Sequence, residues 1–233
     1  MRSIEVWLAG AKKPDIRVGV LREIKPENYH LETLDFVYDA EYRSNPGAYA
    51  LADDMPLVAG TIILPNDRKM FAGLADSLPD EWGRRIIKRL HVDSCRARGQ
   101  NITSLTELDF LLKQNDEARI GALRFKVQGS PEYVESRNPL SQDIDLVIDA
   151  ALRFDDDDAT EFDVQILGGL SSPLGGVRPK VSMIEPEQTP RIVKLWRDQD
   201  RKLDVEAWEA IALDMASEIG LNVPVHRHRR MNQ

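Results

Sequence analysis

Apolar and polar residues alternate over residues 4–9 (IEVWLA) and 17–24 (RVGVLREI), the two-residue period of strands with one buried face. The alternation returns at 33–39 (TLDFVYD), where Leu34, Phe36 and Tyr38 share a side. Trp7, Phe36 and Tyr38 are read as core aromatics. Asn45, Pro46 and Gly47 mark a turn. Together these segments predict a small antiparallel β unit, open or partly closed into a barrel.

The period then lengthens. Ser77, Pro79 and Asp80 signal a helix start, and Trp82, Ile86 and Leu90 recur at four-residue intervals on one face. Arg84, Arg85, Lys88 and Arg89 lie largely on the other, as a solvated face or a contact for nucleic acid or an acidic partner. Ser104 with Glu107 opens a second helix, TELDFLLKQN, and residues 120–127 form a strand. Gln128 to Pro139 is the main linker candidate. Ser141 caps a helix through Phe154, with Ile144, Val147, Ile148 and Ala151 as its buried side. Asp155 to Asp158 lack the alternating ligands and ordering glycine of a cation loop, so they read as a solvated turn. Glu161 to Leu167 is a short helix.

Gly168 to Lys194 carries the candidate chemistry. A glycine-rich turn with Ser171, Ser172, Pro173, Leu174, Gly175 and Gly176 runs into a strand bearing Arg178 and Lys180. A turn at Glu185 to Pro190 leads to a second strand, Arg191 to Trp196, with Lys194 in its middle. Glycines let backbone N–H groups point at an anion, and a neighbouring lysine neutralises phosphate charge. A plain hairpin with solvated lysines has the same composition, so both readings stand. Leu203 to Gly220 predicts an amphipathic helix, capped by Asp204 and ended by Gly220. Its stripe is Val205, Trp208, Ile211, Ala212, Met215 and Ile219, and Glu209 falls on the stripe's edge beside Ala212 and Ala216. A glycine-rich loop, a strand lysine and a helix glutamate are the parts of a kinase N-lobe; a solvated Glu209 is the alternative.

The chain has 233 residues, enough for one large or two small domains with a real core. A net charge of −8 argues against direct nucleic-acid binding by the whole surface. With one cysteine there is no intrachain disulfide, and with four histidines there is no strong metal-ligand cluster, so no metal site is assigned. Absence of an apolar signal core or spanning run makes the expected location cytoplasmic.

SSPLGGVRPK, RIVKLW, the helix ending EIGLNVP, FAGLADSLPDEWGRRII and LDFLLKQNDEARIGALRF together resemble the HipA-type serine/threonine kinases, the toxins of bacterial toxin–antitoxin pairs. The resemblance runs in the family's order from IEVWLAG to Pro224. It implies an ATP phosphate site at Gly175, Gly176, Val177, Arg178, Pro179, Lys180 and Lys194, with Glu209 as the ion-pair partner of Lys194. It matches Ser171 or Ser172 to the loop serine that some members autophosphorylate. ATP and Mg²⁺ are the family's expected cofactors, with weak or no binding in this chain. A HipB-like helix-turn-helix antitoxin or a separate kinase subunit is the expected partner. SLPDEWGRR is expected to pack between the N-terminal subdomain and the kinase lobe.

The expected fold is α+β: a HipA N-terminal subdomain over 1–128, a linker and helix over 129–165, a kinase-like N-lobe over 166–225 and a tail over 226–233. No residue matches the catalytic aspartate or metal ligands that a kinase's second lobe supplies. The tail from Val225, VHRHRRMNQ, holds no acidic residue. The C-terminal catalytic lobe is therefore expected to be missing, giving a truncated kinase inactive alone. A non-catalytic module of a split kinase or antitoxin system and a remnant of a disrupted gene are the alternatives.

Overall fold

The computed structural model describes residues 2–10, 14–24, 33–116, 119, 121–134, 143–170, 180–184, 190–195 and 203–229. The fold is mixed α and β. Strands β1 (Ser3–Leu8), β2 (Ile16–Ile24) and β3 (Thr33–Tyr38) form where the alternation predicts them. They join the short β4 (Thr61–Ile63) and β5 (Leu123–Val127) in an antiparallel sheet of order β4-β3-β2-β1-β5. Among the described residues β4 and β5 are free edges, so the sheet is open rather than partly closed.

The inner face buries Ile4, Val6, Leu21, Phe36, Tyr38 and Phe125. Trp7 departs from expectation. It follows the inward Val6, so the pleat turns it to the outer face. There Lys126 Nζ sits 4.6 Å from its ring centroid. Gly19 is needed where it stands: a Cβ there would lie 2.3 Å from the Val37 carbonyl oxygen and 2.6 Å from the Phe36 ring.

Helices α1 (Ala40–Ser44), α2 (Ala72–Ala75), α3 (Glu81–Ala97) and α4 (Glu107–Lys113) follow, the last two packed under the sheet. Two caps shift from the sequence reading. Asp80 itself caps α3, accepting from Gly83 N at 2.8 Å, while Ser77 is buried before it. Thr106, not Ser104, caps α4 in a reciprocal box with Asp109. Both capping sites offered competing hydroxyls or carboxylates a few residues apart, and local patterning cannot rank them.

Arg119 ties this layer together. Its side chain is fully buried, donates to the carbonyls of Ser77, Leu111 and Gln114, pairs with Asp116 at 3.1 Å and lies over the Phe125 ring. Burial lowers its pKa to about 10, so it stays charged at neutral pH.

Beyond Val134 the chain builds a second core from α5 (Ile144–Asp155), α6 (Glu161–Leu170) and the hairpin of β6 (Lys180–Ile184) and β7 (Pro190–Lys194). Asp143 caps α5, and the expected cap Ser141 lies outside the described residues. α3 serves both cores. Ile87 faces the sheet's core, while Trp82 and Ile86 face Val147, Phe154, Val181 and Leu195. Gly168, at the head of the glycine-rich stretch, is helical and lets α6 approach α3, since a Cβ there would lie 2.5 Å from Leu90 Cδ1. Helix α7 (Val205–Glu218) and an extended segment to residue 229 complete the described chain.

Candidate functional site

The hairpin register places Lys180 directly opposite Lys194, with Val181 opposite Val193. Val181 and Leu195 sit in the second core, which fixes the hairpin from one side. Lys194 Nζ bonds to Glu209 Oε1 on α7, so the expected strand-lysine and helix-glutamate pair forms. Both side chains are about half exposed, and an exposed pair contributes at most about 1 kcal/mol. The contact orients the amine more than it stabilises the fold.

Lys180 takes a different direction. Its side chain is 10% exposed, and its Nζ lies 3.8 Å from Oδ2 of Asp80, the α3 cap. Burial pushes the Asp80 carboxyl up from its ordinary pKa. Nothing in the sequence links Asp80 to a lysine a hundred positions away; the capping pattern was its only signal. Ser171, Ser172, Gly175, Gly176, Val177, Arg178 and Pro179 lie outside the described residues.

α7 begins and ends as predicted. Asp204 accepts from Ala207 N at 2.9 Å, and Gly220 ends the helix with φ of 86°. Its apolar stripe is not covered. No α7 residue is buried, and Trp208, Met215 and Ile219 are 60%, 62% and 77% exposed. The expected packing of this helix onto the strands brings none of its residues into either core. The inner side of the hairpin is already occupied by α3, α5 and α6, and Ile192 on β7 is itself exposed.

Three of the four basic residues on this side of α3 pair with acids of the chain, and Lys88 is exposed. Arg84 pairs with Glu107 at 2.6 Å and lies over Phe110, and Arg85 pairs with Asp155 at 3.1 Å. Arg89 pairs with Asp93 at 3.0 Å. Asp155 is thereby accounted for, and among the described residues no group of three or more His, Cys, Asp or Glu could hold a metal ion. A cleft of about 380 Å³ beside α3 and α6, lined in part by His91, Asp93, Lys113 and Glu161, includes neither lysine of the hairpin nor Glu209. Among the described residues no helix is long and apolar enough to cross a membrane.

Two comparisons bear on this arrangement. The family described as HipA N-terminal domain matches residues 5–126, the sheet with α1 to α4. No curated protein matches the chain.

Proposed function

Taking as premise that the chain belongs to the HipA family through its N-terminal domain, we propose that it supplies the nucleotide-binding half of a HipA-type serine/threonine kinase. The observation that carries the proposal is the Lys194–Glu209 pair between β7 and α7. In kinase chemistry a strand lysine held by a helix glutamate orients the α- and β-phosphates, and positioning of this kind is most of what phosphoryl transfer asks of a protein. Lys194, half exposed, fits that task; Gly175, Gly176, Val177, Arg178 and Pro179 of the preceding glycine-rich stretch would cradle the phosphates.

Among the described residues no group of three or more His, Cys, Asp or Glu could hold Mg²⁺. On this reading the base that accepts the substrate hydroxyl's proton comes from a further lobe or a partner. With the half-site open to water, the lysine acts at high dielectric and ATP binds no tighter than about millimolar, equivalent to ~4 kcal/mol. The chain by itself transfers no phosphate.

The test is incubation with radiolabelled ATP and Mg²⁺, with and without a candidate kinase subunit, followed by phosphosite mapping. Label on Ser171 or Ser172 only when the subunit is present is the expected result. Label on the chain alone, abolished by Lys194→Ala, overturns the inactive assignment. Calorimetry giving micromolar ATP affinity would contradict the open half-site.

A second reading is an interaction module of a split kinase or antitoxin system, docking a kinase subunit or a HipB-like antitoxin. The exposed stripe of Trp208, Ile211, Met215 and Ile219 favours it, because large contiguous apolar surfaces on soluble chains mark contact sites. Pull-down of the partner by the wild type, lost on Trp208→Ser with Met215→Ser, would support it.

A further inference from the structure

Like charges directly opposed across an antiparallel pair repel, and Lys180 and Lys194 hold that register. The fold answers them with carboxylates from two different helices. Lys194 turns outward to Glu209. Lys180 turns inward to Asp80, whose side chain is 2% exposed. Asp80 divides its two oxygens between two tasks. Oδ1 caps α3 through Gly83 N at 2.8 Å. Oδ2 has no hydrogen-bond partner among the described residues and faces the Lys180 ammonium at 3.8 Å. A buried carboxylate is tolerated where a cation compensates it, and removing that cation leaves an uncompensated charge.

Sequence position adds meaning to the contact. Asp80 lies within the matched HipA N-terminal domain, whereas Lys180 opens the strand that follows the glycine-rich stretch of the sequence. The pair therefore joins the first domain to the candidate half-site, beside Trp82, Val181 and Leu195, which bury the same junction. An ammonium held there cannot meet a phosphate in solvent without leaving Asp80.

We propose that Asp80 and Lys180 form a latch fixing the β6–β7 hairpin to α3. Lys180 is then a positioning residue rather than a phosphate ligand: by holding β6 it sets where its register partner Lys194 meets Glu209. The latch stands on geometry alone, while its consequence for Lys194 rests on the nucleotide half-site reading.

The experiment follows hydrogen exchange of peptides covering 180–184 and 190–195 in the full chain. Asp80→Asn retains a good N-cap while removing the charge. Asp80→Asn and Lys180→Met should each raise hairpin exchange by ~10-fold, and the double variant should be less exposed than the two single losses multiplied together, because removing Lys180 no longer leaves the buried Asp80 carboxylate without its cation. Peptides covering 16–24 serve as the unchanged control. A second readout is acylation of lysines by a water-soluble amine reagent, read by mass spectrometry. Lys180 should react at least ~10-fold more slowly than Lys194, and faster in Asp80→Asn, as a buried paired amine demands.

Unchanged hairpin exchange in the single variants, additive losses in the double variant, or Lys180 reacting as fast as Lys194 would each overturn the latch. Adding ATP separates the two ideas. Protection of Lys194 alone supports the half-site and the latch together. No protection of either lysine, with the exchange results intact, removes the half-site and leaves the latch standing. Protection of Lys180 by ATP would show it to be a phosphate ligand and overturn the latch.

Discussion

Replacing Arg119 by Met keeps the side chain's approximate length and removes its charge and all its donors. Three carbonyls, those of Ser77, Leu111 and Gln114, lose the guanidinium N–H groups they accept from. Asp116 loses one cation but keeps Arg124 at 3.1 Å. A buried acceptor left unpaired costs about 1–3 kcal/mol, and breaking a buried ion pair by removing one partner costs about 3–5 kcal/mol. These overlap, and the surviving Arg124 contact lowers the ionic share, so the expected loss is about 4 kcal/mol, a large part of a typical domain's stability. Urea unfolding followed by circular dichroism should show a lower midpoint with an unchanged slope. Arg119→Lys keeps the charge but not the planar fork, and should lose about 2 kcal/mol. A loss under ~1 kcal/mol for the Met variant would refute the assignment of Arg119 as the tie between α4, β5 and the approach to α3, since surface substitutions cost that little.

Further outcomes follow from contacts elsewhere. Gly19→Ala should cost about 1–3 kcal/mol, because its Cβ would meet backbone, whereas Gly168→Ala should cost less, because only the end of the Leu90 side chain must yield; urea unfolding of the two variants ranks them. Arg153 and Thr160 hold the Asp163 carboxyl well below its ordinary value of 3.8, so this contribution is fully present above that value and is lost as pH falls toward the lowered folded pKa. Acid titration of stability should therefore lose part of its slope below about pH 4 in Asp163→Asn. Trp208→Ser and Met215→Ser should change thermal stability by no more than about 0.5 kcal/mol, since both side chains are exposed; a large loss would mean that α7 is packed in solution.

Sequence alone determined whatever depends on local period and local chemistry. The alternation of β1 to β3 and the Asp204-to-Gly220 limits of α7 follow from residues within a turn or two of one another. The Lys194–Glu209 pairing was legible too, because a short hairpin followed by one helix leaves few arrangements and the family resemblance selects among them. Tertiary structure decided what depends on distant partners. Trp7 lies outside the core because the pleat places Val6 inside, and Arg84, Arg85 and Arg89 of α3 are paired by acids from α4, α5 and α3 itself. α3 carries two apolar stripes for two cores, where its sequence advertises mainly the Trp82–Ile86 one. Lys180 has the composition of a phosphate ligand, yet Asp80 draws it into the junction between the cores. The α7 stripe shows the converse: its period demands a covering surface, yet in the folded chain Trp208, Met215 and Ile219 stay exposed. Periodicity fixes which face of an element is apolar; only the packed chain decides what that face meets.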